Sequence, residues 1–369
     1  MSSLLYRPDW PEARERLSTW WNGGDIGRPV VQISCPRAER WEAVDPMPRP
    51  EGWTSRYSTA SMEYKLHLAR TACLGREFLG ESCPSYATGD LAPNCLALYL
   101  GCQGTEMPES VWCESCMPEP DLAQLVYDPE NFYWQFSREA TARGKELAAG
   151  RFLQGFPDLI EGLDTLCALR GTQETLIDMI ERPDFVHAAM RQLTDLYFRY
   201  YDPLYELCRD EQGGSHWWIY APGRLVKIQC DMSAMISADM FREFMNPLVR
   251  EMTERTAYSL YHLDGPDALQ HVEPLCEIET LDMIQWQPGA GAAGPWYPEW
   301  WPYLHRILDA GKKIQIPIGK PYAEWHFDDI HEPLTMLRDE FGEQFKQFDL
   351  HLGAGSREQA AELLDFVSF

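Results

Sequence analysis

"RLVKIQCDMSAMISADMFREFMNPLVREMTERTAYSLYHLDG", residues 224–265, contains two strand-like runs with a helical run between them. RLVKIQCD (224–231) and TAYSLYHLDG (256–265) are short, apolar and β-rich. The intervening segment opens at Ser237, whose hydroxyl suits a helix N-cap. Strand, helix and strand in that order make a parallel βα unit, and the rest of the chain repeats the pattern. Further strands are expected at 28–35, 151–158, 216–231, 281–289, 312–319 and 345–353. Residues 172–208 read as two helices broken before Pro183, and 356–367 as a helix capped by Ser356 with Gln359 at the capping-box position. This alternation predicts an α/β fold, a (β/α)8 TIM barrel forming one domain over residues 1–369. Residues 1–150 include an irregular N-terminal elaboration, rich in Pro, Gly and Cys over 37–127, expected to cover the barrel mouth.

Barrels of this kind carry their sites at the C-terminal ends of the strands. Residues two apart on a strand share a face, with Cα atoms ~6.6 Å apart. Gln229 and Asp231 then share a face, as do His262 and Asp264, Gln285 and Gln287, and Asp349 and His351, while Asp158 closes GFPD. Polar groups at the ends of apolar strands are costly unless solvated, paired or used. Each has a bland alternative: Asp264-Gly-Pro as a turn, His351 as a satisfied core histidine. Their recurrence over several strands argues for one shared polar site.

The chain carries a formal net charge of −25, which argues against nucleic acid and anionic membrane surfaces as partners. No apolar run reaches transmembrane length, and MSSLLYRPDWPEARERLSTWW reads as an amphipathic helix rather than a signal, so a cytoplasmic protein is expected. Eleven cysteines, an odd number, fit reduced thiols. Cys113 and Cys116 in WCESC form a C-x-x-C without a second pair or a following helix, so neither structural zinc nor redox use is expected there. Fourteen tryptophans and 27 prolines fit structured, aromatic-lined loops around a pocket for a small molecule.

Gly289, Gly291 and Gly294 spell G-x-G-x-x-G after a strand. A dinucleotide loop needs a helix to open at the third glycine, yet Pro295 and Pro298 delay the helix to about 298–310. The next strand also ends without a ribose-binding carboxylate. NAD is therefore not expected as a cofactor. The glycines serve a tight turn or a close approach to a ligand.

KIQCDMSAMISADMFREFMNPLV, YSLYHLDGPDALQHVEPL and LDMIQWQPGAG together resemble the uroporphyrinogen decarboxylase superfamily, best from about Arg151 onward. That resemblance implies a (β/α)8 barrel and either decarboxylation or zinc-dependent methyl transfer with a corrinoid protein as partner. Two departures matter. The arginine-rich RQAGRY stretch of the decarboxylase is replaced by SCPRAERW, which keeps Arg37 and Arg40 as cations but not the motif, so uroporphyrinogen is not the expected substrate. The H-x-C zinc pair of the methyltransferases is replaced by His262 and Asp264, and LHLGAGS offers His351 but no cysteine.

Zinc accepts imidazole nitrogen and carboxylate oxygen, and a catalytic site uses three protein ligands plus an open position. His262 and Asp264 would supply two, with Asp231 or His351 as the third. A carboxylate in place of a thiolate makes the site harder and less suited to activating a thiol acceptor. In a metal-free site, Asp264 would orient His262 as an acid or base and Asp231 would bind substrate. Gln229, Gln285, Trp286, Asp158 and Arg37 are the expected substrate-binding residues. The leading expectation is a methyl or one-carbon transferase with His262, Asp264 and Asp231 as its reactive group. Decarboxylation of a smaller carboxylate and a non-catalytic binding barrel remain open.

One expectation is directly testable. Titration with NAD or NADP, followed by tryptophan fluorescence, should show no saturable micromolar binding; saturation in that range would overturn the reading of the glycine loop.

Overall fold

The computed structural model describes residues 3–319 and 325–368. Its centre is a seven-stranded sheet of β1 (Val30–Pro36), β2 (Arg76–Gly80), β3 (Leu225–Gln229), β4 (Tyr258–Asp264), β5 (Met283–Gln287), β6 (Lys313–Ile318) and β7 (Phe348–Gly353). Their order is β2-β1-β7-β6-β5-β4-β3, with every pair parallel except β1 and β2. Helices make the crossovers that parallel neighbours require. Ala238–Phe244 (α5) and Asn246–Glu254 (α6) join β3 to β4, and Trp301–Asp309 (α8) joins β5 to β6. Before them come α1 (Trp10–Trp21), α2 (Gly162–Arg170), α3 (Thr172–Glu181) and α4 (Pro183–Cys208); α7 (Val272–Cys276), α9 (His331–Phe341) and α10 (Arg357–Phe366) complete the labelled set. Ser237 accepts from Met240 N and Ser356 from Gln359 N, as capping residues should. Gln359 Oε1 reaches back to Gly355 N rather than to Ser356 N.

Alternation along the strands sorts the two faces of the sheet. Tyr261 meets Phe241 of α5, and Trp286 stacks edge-on against Trp300 at 5.3 Å, so this face looks to the helices and loops. The opposite face carries Lys227, Gln229, His262, Gln285, Gln315 and Asp349, whose side chains bond to one another.

Two expected strands come out differently. Only Leu153–Gln154 of 151–158 is strand, paired in parallel with Ser85–Tyr86. Gly155 and Pro157 follow, and proline cannot donate to a ladder. The stretch 216–231 is three strands: Ser215–Trp217 and Ile219–Ala221 fold back on each other, and β3 follows. The reversal falls at Trp218, a non-glycine residue with φ of +62°.

Helix α1 packs across the N-terminal ends of the strands. Trp20 Nε1 donates to Lys346 O just before β7, the Trp21 ring lies 5.2 Å from Tyr258 at the start of β4, and Lys313 at the start of β6 stands over Trp20. The C-terminal ends are left for polar residues. Near β1, the buried Glu81 carboxylate accepts from Arg28 (2.7 and 2.8 Å), Arg16 (2.7 Å) and Val31 N (3.0 Å). Burial alone would push its pKa up, but Arg28, the Val31 N–H and Arg16 outweigh burial and hold it below the usual glutamate range.

Glu81→Gln should therefore cost about 2–3 kcal/mol in urea unfolding at neutral pH, since the half-buried Arg16 and Arg28 lose their charge-assisted bonds to a buried carboxylate. A depressed folded pKa contributes stability above the unfolded value of ~4.5 and loses it as pH falls through the folded value. The gap between parent and variant should narrow below about pH 4. A gap of unchanged size down to pH 3 would contradict this assignment.

Candidate metal centre

Asp231, His262 and Asp264 come together at the strand ends, with one ligand atom from each lying within 4.8 Å of the others. His262 and Asp264 are successive same-face residues of β4. Asp231 follows β3 as the first residue of a 3-10 turn. Its position is fixed by its backbone: the N–H groups of Asp231 and Met232 donate to the Asp164 carboxylate at 2.7 and 3.0 Å. Burial, and then the charge of Asp231, push the Asp164 pKa up to about 7. Gln229 Nε2 adds a bond to Asp231 Oδ2 at 3.1 Å.

The protonation of His262 is set from across the sheet. Asp349 Oδ2, fully buried on β7, accepts from Gln315 Nε2 at 2.6 Å and from Gln32 Nε2 at 2.8 Å. An amide that donates its nitrogen to the carboxylate must present its oxygen to the next neighbour. Gln285 Nε2 accordingly donates to Gln315 Oε1 at 2.8 Å, and Gln285 Oε1 faces His262 Nδ1 at 2.5 Å. An amide oxygen only accepts, so the imidazole proton sits on Nδ1 and the Nε2 lone pair is free for the carboxylate side. Burial and then the nearby Lys227 lower the His262 pKa, with Asp264 and Asp231 opposing, so the ring is neutral at neutral pH. Burial raises Asp264 from its ordinary value; His262 opposes that shift, and Asp231 adds to it.

An imidazole with a free lone pair, its other nitrogen held by a carbonyl-type oxygen, flanked by two carboxylates, is a donor set suited to a divalent metal. Asp231 and Asp264 are exposed, so the group opens to solvent on one side. Trp218 lies edge-on to His262 at 5.2 Å, which places the positive-φ residue at the site, a location typical of retained backbone strain.

The other expected site residues are spread more widely. Asp158 pairs with the buried Lys227 Nζ at 2.6 Å. His351 is not in the cluster; its Nε2 is turned to Gln32 Nε2 at 2.7 Å and to Asp349 Oδ2 at 3.3 Å. Asp231, rather than His351, joins the His262–Asp264 pair. Trp286 does not line the site with Gln285, because neighbours on a strand face opposite ways; it is buried against Trp300. Arg37 bonds Glu77, lies 3.7 Å over the Trp41 ring, and lines a hollow of about 640 Å³ with Arg7, Arg16, Arg28 and Arg357, none of whose walls belongs to the cluster.

Three residues at the site were not anticipated from sequence. Lys227 is two residues before Gln229, so the same alternation rule points to it. Its Nζ bonds Gln229 and stands 5.3 Å from the Trp218 ring centre. Asp164 and Trp218 come from a helix and a hairpin, where strand periodicity has no reach. The glycine loop also borders the site. Gly289 and Gly291 have φ of +79° and +84°, and a Cβ at Gly289 would lie 3.9 Å from Asp264 Oδ1. Gly294 does not open a helix; a Cβ there would fall 2.6 Å from the Trp296 ring, and α8 begins only at Trp301.

Comparison with known protein families and with curated proteins returns no match for this chain.

The tautomer assignment has a direct readout. In protein selectively labelled with 15N-histidine, the His262 signals, identified by their loss in His262→Gln, should show a protonated Nδ1 and an unprotonated Nε2 at pH 7.5. A protonated Nε2 would break the relay from Asp349.

Proposed function

We propose that this chain is an enzyme that transfers a methyl or other one-carbon group on a small molecule, with Asp231, His262 and Asp264 holding a zinc ion. The observation that carries this reading is the convergence of three donors within 4.8 Å, with the imidazole proton committed to Gln285 and the lone pair left free. When bound, zinc would supply Lewis acidity to an acceptor or leaving group in the open fourth position. The protein's own residues prepare that position. Asp164 fixes the Asp231 backbone, Gln229 orients its carboxylate, and Trp218 walls one side of His262. Lys227 holds positive charge behind the carboxylates, tied to Asp158. A corrinoid protein as methyl source follows from the sequence resemblance described above.

We further propose that the sheet closes into a (β/α)8 barrel. Ser85–Tyr86 and Leu153–Gln154 would be its second and third parallel strands, between β1 and β3. Supporting this, side chains bridge the segment after Leu153–Gln154 to β3: Asp158 to Lys227, and Glu161 Oε1 to Gln229 N at 2.7 Å.

A second reading rests on Asp264. Its raised pKa beside a neutral histidine makes the pair a proton donor and acceptor without metal, as decarboxylation of a small carboxylate requires.

Metal analysis of protein purified without a tag separates the readings. The parent should carry one zinc per chain. His262→Ala and Asp264→Ala should abolish it with the fold retained, and Gln285→Leu should weaken zinc affinity by roughly 10–100-fold through loss of the outer hydrogen bond. A metal-free parent in which Asp264→Asn slows turnover on the order of 10²–10⁴-fold supports the acid–base reading. Alanine variants at all three positions that keep both ligand binding and activity would sink both.

A further inference from the structure

Cys116 of the C-x-x-C motif has a thiol partner outside the motif. Cys113 lies in the strand Val111–Glu114, which pairs with Gln103–Glu106 in the register Gln103↔Glu114 and Gly104↔Cys113. The strand ends at Glu114, so Cys116 lies beyond the ladder that holds Cys113. The hairpin instead brings Cys116 to Cys102, just before the first strand, with their Sγ atoms 3.9 Å apart. Both are fastened to the last turn of α2. Cys102 Sγ lies 3.4 Å from Ala168 O, and the N–H groups of Cys116 and Met117 donate to Leu169 O at 2.9 and 2.8 Å. Arg170 ties the following segment by bonds to Met117 O and Pro118 O. The two sulfurs therefore face each other across a clamped hairpin, Cys102 buried and Cys116 exposed.

We propose that Cys102 and Cys116 form a redox-active dithiol that reacts with hydroperoxides and closes to a disulfide. This site is separate from the metal centre and does not rest on the function proposed there. Cys116 is the attacking sulfur because it is the one solvent reaches, and Cys102 resolves because it is buried against it. When the single S–H of Cys102 turns from Ala168 O to Cys116, that bond, opposed by burial, draws the Cys116 pKa down to about 7, while the same bond and burial drive Cys102 up. The Cys116 thiolate attacks one peroxide oxygen; the S–O bond forms, the O–O bond breaks, and the leaving oxygen departs as hydroxide or alkoxide. Cys102 sulfur then attacks the sulfenic sulfur; the S–S bond forms, the S–O bond breaks, and the oxygen leaves as water with the Cys102 proton. The two sulfurs give up two electrons in all, and the peroxide takes them.

The test uses the full, reduced chain and hydrogen peroxide as the probe. One equivalent should remove two of the eleven free thiols, lower the intact mass by about 2 Da and yield a Cys102–Cys116 cross-linked peptide on digestion. Dithiothreitol should restore the thiols. Cys102→Ser should halt at the sulfenic acid and give a dimedone adduct on Cys116; Cys102→Ala serves the same purpose if the serine is poorly tolerated in its buried place. Cys116→Ser should give neither product, and Cys113→Ser should behave as the parent. A Cys113–Cys116 cross-link, or eleven thiols surviving a dose that oxidises a free exposed cysteine, would overturn the proposal.

Discussion

A single buried carboxylate sets the chemistry at the far side of the sheet. Asp349 sits on β7 with no solvent contact, and its Oδ2 is occupied by two amide nitrogens. An acceptor at one end of a glutamine chain leaves no freedom at the other, so Gln315 and Gln285 must each point oxygen toward β4. His262 is thereby held in one tautomer and one ring orientation before any ligand arrives. The chain hangs on that one oxygen, because the buried Asp349 Oδ1 has no hydrogen-bond partner among the described residues. The register β4–β5–β6–β7, which places His262 beside Gln285, Gln285 beside Gln315 and Gln315 beside Asp349, is what keeps it intact.

The site also accepts unfavourable terms that a purely structural core would avoid. Lys227 is fully buried, and Glu161 nearby is buried with Oε2 lacking a partner among the described residues. Burial drives the Glu161 pKa well up, with the charge of Lys227 opposing. Asp158 supplies the ion pair that Lys227 needs, and Trp218 holds a backbone conformation that costs about 1–3 kcal/mol. Concentrating charge, burial and strain in one place is the pattern expected where function rather than stability is the constraint.

Much of this was legible in the sequence because strands encode faces by simple alternation. Asp231, His262 and Asp264 follow from reading the ends of two strands, as does Gln229, and the bonding partner Gln285 follows from a third. The same rule also excludes Trp286 from the face of Gln285 and points to Lys227. Other features lie outside any local pattern. Asp164 reaches the site from a helix more than sixty residues upstream, and Trp218 turns the chain where aromatic residues suggested a continuous strand. The run at 151–158 shows the opposite failure: its apolar content signalled a strand, but Gly155 and Pro157 end the pairing after two residues. Cys116 paired with Cys102 because the hairpin register, not the C-x-x-C spacing, decides which thiols meet.

The pairing of β1 with β7 has a consequence for how the molecule is made. Val30 lies opposite Asp349, so the first sheet strand to leave the ribosome has its parallel partner 319 positions later. At ~5–20 residues per second, that interval is roughly 15–60 s. During it, β1 has only β2 to pair with, and Trp20 lacks the Lys346 carbonyl that later receives its indole N–H. The nascent chain thus carries an open parallel edge and an uncovered tryptophan face until synthesis passes β7. The arginine clasp on Glu81 joins residues 28, 31 and 81 and so needs no partner from the later chain.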